Sequence, residues 1–261
     1  MNRLEKLFQA KDRDILSVYF TAGFPRKDST GEVIRALAGR GVDMIEVGVP
    51  FSDPMADGVV IQQSSTVALH NGMNLDLLLE QVGEARRECG VPLVLMGYLN
   101  PMMQYGIERL FRRCAAVGID AMIVPDLPFG EYVEHYKPLA EKYGIPVVML
   151  ITPETSPERV RLIDEHCGGF IYMVSAASTT GTKEGFSGKQ EAYFRWVDEM
   201  GLKNRRLIGF GISNPRTFET ACRYASGAIV GSLFIKCLER NDSADGAVRD
   251  LLRTLGRCGG E

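Results

Sequence analysis

Eight short apolar runs, each followed by a segment with apolar residues at every third or fourth position, are what most constrain the fold of this chain. The runs are 15–21, 44–49, 92–97, 121–124, 146–151, 170–175, 206–210 and 227–230. Some, such as Ala121-Met122-Ile123-Val124 and Ala228-Ile229-Val230, are apolar throughout, the pattern of parallel strands covered on both faces. The segments 29–40, 75–89, 107–117, 131–143 and 157–166 carry helical spacing. Thr155-Ser156-Pro157-Glu158 and Asn214-Pro215 read as helix starts, a capping side chain followed by proline in the first turn. Gly39, Gly41, Gly90, Gly118 and Gly144 fall where helices give way to strands, and suit a left-handed C-cap.

Eight strand–helix units in 261 residues match the count and size of one (β/α)8 barrel, the TIM-barrel fold, with residues 1–261 as a single domain. An open parallel sheet is the rival. Even strand spacing, and no Gly-x-Gly-x-x-Gly turn after the first strand, favour the closed barrel. Three extra helices are expected: one at the N-terminus, one within 53–71 after the second strand, and one in the tail 243–257.

Net charge is −3, so no broad basic surface for nucleic acid is expected. No run approaches the roughly 18 apolar residues of a membrane span, and the N-terminus lacks the apolar centre of a signal peptide. The cysteines, Cys89, Cys114, Cys167, Cys222, Cys237 and Cys258, are scattered, which suggests reduced thiols in the cytoplasm.

In such a barrel the C-terminal ends of the strands face the active site. Glu46 is a carboxylate inside the apolar second strand, where an unpaired charge costs several kcal/mol or shifts its pKa. It is a candidate general acid/base, the alternative being a structural ion pair. Asp53 and Asp57 follow in a loop stiffened by Pro50 and Pro54; alone, each would pass for a turn residue. The third strand runs into Tyr98 and Asn100, the fourth into Pro125-Asp126-Leu127-Pro128, and the sixth carries Tyr172. Gly211 and Gly231-Ser232 each open a helix after strands seven and eight, and Gly181 follows strand six. Glycine lets backbone N–H groups approach an anion, and a helix N-terminus adds a favourable dipole. This set reads as a phosphate cup, the alternative being simple tight turns.

Other chemistries lack their residues. Schiff-base cleavage needs a lysine projecting into the barrel, and no lysine lies in a strand run. A zinc route needs converging ligands, whereas His70, His135 and His166 all fall in helical segments, so no metal is expected. Acid/base chemistry by carboxylates on a phosphorylated substrate remains.

The stretch Glu46-Val-Gly-Val-Pro-Phe-Ser-Asp-Pro-Met-Ala-Asp57-Gly closely resembles the signature of the tryptophan synthase alpha chain family. Asn100-Pro101, Pro125-Asp-Leu-Pro128, Tyr172-Met-Val-Ser, Gly209-Phe-Gly-Ile-Ser and Val230-Gly-Ser follow in the family's order, so the resemblance spans residues 20–236. It implies retro-aldol cleavage of indole-3-glycerol phosphate to indole and glyceraldehyde 3-phosphate. Glu46 would deliver a proton to indole C3, and Asp57 would accept a hydrogen bond from the indole N–H. Tyr172 would help place the substrate, and Tyr19, Met96 and Phe210 would line the indole slot. Gly181, Gly211, Gly231 and Ser232 would hold the phosphate. The resemblance also implies a pyridoxal phosphate-dependent beta chain as partner in an assembly of two alpha and two beta chains. The cofactor would belong to that partner, with none in this chain. Asp53, Asn100, Pro101, Asp126 and Pro128 would lie on the docking face, with Met102 and Met103 exposed there or packed in the core.

One stretch departs from the family pattern. Ser175-Ala-Ala-Ser-Thr-Thr-Gly-Thr-Lys stands where many members carry Ser-Arg-Ser-Gly-Val-Thr-Gly, so Ala176 replaces an arginine. Other phosphosugar barrel enzymes, a non-enzymatic subunit that activates a beta chain, and a stand-alone indole producer are the competing readings.

Overall fold

The computed structural model describes residues 2–175 and 185–257. Helix α1 (Arg3–Ala10) precedes β1 (Ile15–Thr21), α2 (Ser29–Gly39) and β2 (Met44–Gly48). Two helices follow, α3 (Val59–His70) and α4 (Leu75–Arg86), and then β3 (Leu93–Met96). Next come α5 (Leu99–Tyr105), α6 (Ile107–Val117), β4 (Ala121–Ile123), α7 (Phe129–Glu131) and α8 (Lys137–Tyr143). The second half runs β5 (Val147–Ile151), α9 (Pro157–His166), β6 (Phe170–Val174), α10 (Gly188–Glu199), β7 (Arg205–Gly209), α11 (Pro215–Tyr224) and β8 (Gly227–Val230). Helices α12 (Ser232–Arg240) and α13 (Ala244–Thr254) end the described chain.

Each strand pairs in parallel with the next, and β8 returns to β1, so the sheet closes in the order β1 to β8. The open-sheet alternative is thereby excluded. All eight expected strands form, with ends within a residue of the sequence reading.

Alternation along the strands divides the core in two. Outward residues such as Leu16, Val18, Phe20, Ile45, Val47, Leu93 and Leu95 pack against the helices. Inward residues Ile15, Met44, Val94, Ala121, Ile123, Val148, Phe170, Tyr172, Leu207 and Ile229 fill the barrel. Leu4 and Phe8 of α1 join this inner cluster, and the Phe8 and Phe170 rings meet edge to face. The N-terminal helix therefore plugs the end of the barrel remote from the strand C-termini. Asn2 starts it with a capping box to Glu5. Asp120 anchors it: its buried carboxylate accepts from the Arg3 and Leu93 backbone N–H groups and from Arg86 Nη2 at 3.0 Å.

The predicted helix starts hold: Ser156 accepts from Arg159 N–H and Asn214 from Thr217 N–H, each followed by proline. Two expectations need correction. The segment 131–143 is not one α-helix, because a π-helical stretch, Tyr132–Tyr136, separates α7 from α8. Wider winding there accompanies two buried tyrosines, and the Tyr132 hydroxyl donates to the His166 carbonyl. Gly41, Gly118 and Gly144 take positive φ as expected, but Gly39 is still helical and Gly90 does not take positive φ.

Candidate active site

The strand C-termini open into a cavity of about 750 Å³. Glu46, Asp57, Tyr19, Met96, Tyr172, Phe210, Gly211, Gly231 and Ser232 all line it, so the barrel brings together residues scattered over most of the chain.

Glu46 lies at the floor, fully buried. In the β1–β2 register it stands beside Tyr19. Its Oε1 accepts a 2.7 Å hydrogen bond from the Ser17 hydroxyl, and its Oε2 is buried with no hydrogen-bond partner. Burial pushes the Glu46 carboxyl up to about 7, although the Ser17 hydroxyl favours the charged form. A glutamic acid that is part protonated near neutral pH suits proton transfer.

Asp57 sits in the loop after β2, half-buried at the cavity wall. Burial raises its pKa, and the Tyr98 hydroxyl opposes the shift. The loop is held by Tyr98, whose oxygen accepts from the Ala56 N–H at 3.0 Å, and by the Phe51 ring 5.3 Å from the Tyr98 ring. Two carboxylates thus share one cavity in different surroundings, each with its own hydroxyl neighbour, an arrangement in which two carboxyl groups can differ in protonation.

Two tyrosines fill the space over two glycines. A Cβ built on Gly48 would overlap the Tyr19 hydroxyl, and one on Gly209 would overlap that of Tyr172. Burial raises both phenol pKa values, and the charge of Glu46 adds to the shift, so both hydroxyls remain protonated. Phe210 meets the Tyr172 ring edge to face at 6.2 Å.

The glycine turns are unequal. At the start of α11 the Ser213 and Asn214 N–H groups donate to Thr217 Oγ1, so the helix uses those donors itself. Helix α12 begins at Gly231 with no side-chain cap, leaving first-turn N–H groups for a ligand. Lys236 lines the cavity four residues after Ser232, on the same face of α12. Gly181 and Ala176 lie outside the described residues.

Asp53, Asp126 and Pro128 in loops and Asn100 in the first turn of α5 are exposed around the mouth, and Pro101 is half-buried; none lines the cavity. Asp126 accepts from the Leu99 N–H at 2.9 Å, tying the β4 loop to α5. Met102 is buried and Met103 is 57% exposed, so the two readings for that pair divide between them. Met55 and Val59 add further exposed apolar area beside the same mouth.

Ser17, Ile61, Ile229 and Lys236 were not expected here. Ser17 carried no signal beyond a hydroxyl in an apolar run. Lys236 escaped because it reaches the cavity from a helix rather than a strand. Among the described residues no cluster of metal-ligating side chains occurs, and no helix is long and apolar enough to cross a membrane.

Comparison with known proteins agrees with this fold. The sequence profile of the tryptophan synthase alpha chain family matches residues 6–257. The tryptophan synthase alpha chains of Bacteroides fragilis and Bacteroides thetaiotaomicron are each 55% identical over 255 residues. These alignments cover 98% of this chain and 97% and 100% of theirs. The crystal structure of tryptophan synthase subunit alpha from Legionella pneumophila superposes with a TM-score of 0.87 at 33% identity, covering 98% of this chain and 97% of that one.

Proposed function

The chain belongs to the tryptophan synthase alpha chain family, and from that membership we propose how its residues divide the work. It is a carbon–carbon lyase that cleaves indole-3-glycerol phosphate to indole and glyceraldehyde 3-phosphate. It works with a beta chain, to which the indole passes for L-tryptophan synthesis. In our reading the assembly contains two alpha and two beta chains in the cytoplasm, and pyridoxal phosphate is carried by the beta chain alone.

The observation that carries the assignment of roles is Glu46, buried at the cavity floor with Oε2 unpartnered. Cleavage requires a proton on indole C3, which breaks aromaticity and puts positive charge on the ring nitrogen. Glu46 delivers that proton from Oε2. Its raised pKa supports this role, because a useful fraction is protonated near pH 7. Asp57 accepts from the indole N–H and stabilises charge that appears only along the reaction path. As the carbon–carbon bond breaks, the glycerol hydroxyl loses its proton and becomes the aldehyde carbonyl. Glu46, having given up its own proton, is the base available to take it.

Tyr19, Met96, Tyr172 and Phe210 form the indole slot. Gly211, Gly231 and Ser232 hold the phosphate, with Gly181 completing the cup. The uncapped start of α12 supports that placement, and Lys236 supplies a counter-charge. Asp53, Asn100, Pro101, Asp126 and Pro128 surround the mouth on the beta-chain docking face, an assignment supported by the exposed Met55 and Met103 beside them.

Indole release by purified protein, with and without a beta chain, tests this reading. Release should rise strongly with the partner, and Glu46→Gln should abolish it while leaving the fold and partner binding intact. Near-normal turnover by Glu46→Gln would sink the assigned role. Release that is fast alone and indifferent to the partner would indicate a stand-alone lyase.

A further inference from the structure

We propose that Ser17 is a positioning residue for Glu46: its hydroxyl fixes one carboxylate oxygen so that the other is presented to the substrate. The inference rests on the function proposed for Glu46 and adds a residue outside the cavity to it.

Ser17 is fully buried in β1 and does not line the cavity, so it acts through Glu46 and not on the substrate. Along β1, Ile15, Ser17 and Tyr19 point inward by alternation. The inward residues around Ser17, among them Ile15, Met44, Val94 and Ile229, are apolar. A hydroxyl in such a layer is costly to bury unless it is bonded. The Ser17 hydroxyl donates to Glu46 Oε1 at 2.7 Å, within the short range of hydrogen bonds to a charged acceptor.

The geometry divides the carboxylate. A glutamate side chain turns freely about its last bond, and its two oxygens are otherwise equivalent. Anchoring Oε1 removes that freedom and leaves Oε2, buried and without a protein partner, as the oxygen with hydrogen-bonding capacity left for the substrate. The other titratable groups near Glu46 are Tyr19 on β1, Tyr172 on β6 and Asp57 in the β2 loop. The two phenols stay neutral through the working range, so they do not mimic the effect of Ser17 on the titration of Glu46. Asp57 has its own hydroxyl neighbour in Tyr98. The small Ser17 side chain also leaves room for the carboxylate, and this steric role has to be separated from the hydrogen bond.

The test is an infrared titration of the Glu46 carboxyl in the full chain without substrate, with the band assigned by its loss in Glu46→Gln. A donor to the charged form lowers a carboxyl pKa. Ser17→Ala should therefore move the titration upward by about one pH unit. Ser17→Thr keeps a hydroxyl and should restore the wild-type position. In steady-state cleavage, Ser17→Ala should lower kcat about tenfold with KM within twofold, and Ser17→Thr should recover most of kcat. Should Ser17→Ala not fold, Ser17→Cys, a weaker donor, should give a smaller upward shift. An unmoved titration in the folded variant overturns the proposal, as does equal loss of kcat in the alanine and threonine variants. Failure of the wild-type chain to cleave indole-3-glycerol phosphate would instead overturn the proposed reaction. The substrate-free titration keeps these two failures distinct.

Discussion

The Ser175 hydroxyl donates to the Phe210 carbonyl oxygen at 2.7 Å and clamps a residue whose backbone is in the left-handed region at φ 68°. For a large non-glycine residue that conformation is costly, of order 1–3 kcal/mol, and needs support from its surroundings. The Ser175 carbonyl is in turn the acceptor for Gln190 Nε2 at 3.1 Å. The end of β6, the start of α10 and the loop after β7 are thus fastened at one point of the cavity wall. Ser175→Ala is expected to cost about 1 kcal/mol of stability and roughly fivefold in kcat/KM, read by urea unfolding and steady-state kinetics.

Gly209→Ala should damage turnover far more than stability. The added Cβ would overlap the hydroxyl oxygen, Cζ and Cε1 of Tyr172. The ring would have to leave its place beside Phe210 and Glu46. A fall in kcat/KM of about 100-fold is expected, since small misplacements near the chemistry are costly. Tyr172→Phe should not rescue it, because ring carbons clash as well as the hydroxyl. Recovery of wild-type activity in that double variant would show the clash to be with the oxygen alone.

Asp57→Asn keeps shape and removes charge. If Asp57 stabilises positive charge on the indole nitrogen, kcat should fall by 100-fold or more, with KM changed less than about threefold. A variant that weakened substrate affinity and left kcat intact would assign Asp57 to binding.

Glu46 should also leave a signature in stability. Its folded pKa of about 7 lies above that of the unfolded chain, so the folded state holds the proton more tightly. The stabilisation is complete below the unfolded value and is lost as pH rises through about 7, a change of roughly 3 kcal/mol. Glu46→Gln has no such proton to lose. Relative to the wild type, it should gain stability between pH 5 and pH 8, measured by urea unfolding at both.

Lys236→Met is expected to raise KM about tenfold and to leave kcat within threefold, because a phosphate counter-charge acts on bound substrate and transition state alike. The KM difference should narrow in high salt, where exposed charges are screened.

Legibility from the sequence followed physical locality. Strands were readable because a run buried on both faces, such as Ala121–Ile123, is apolar throughout. Capped starts were readable where a side chain bonds its own first turn, as Ser156 and Asn214 do. The cavity set was readable in part because strand ends in a closed barrel converge. The Ser17–Glu46 bond was hidden, since it joins residues on different strands and a serine in a strand has no single meaning. The difference between the two glycine turns was hidden too, because it depends on whether Thr217 takes up the local N–H donors. The π-helical stretch Tyr132–Tyr136 also carries no distinct pattern, as its residues suit an α-helix equally well.

The seam where Ile15 pairs with Gly227 has a consequence for how the chain is made. A Cβ on Gly227 would run into the Ile15 carbonyl, so this seam admits the last strand only because that side chain is missing. On a ribosome, β1 emerges first and β8 almost last. At cellular elongation rates the outer edge of β1 waits roughly 10–40 s for its mate. Throughout that interval its N–H and C=O groups can template pairing with another chain. A nascent chain stalled before Gly227 would carry two open edges, which the pairing of β8 with both β7 and β1 removes in the finished barrel. For this protein, the hazard of aggregation during synthesis is concentrated in translation up to that final strand.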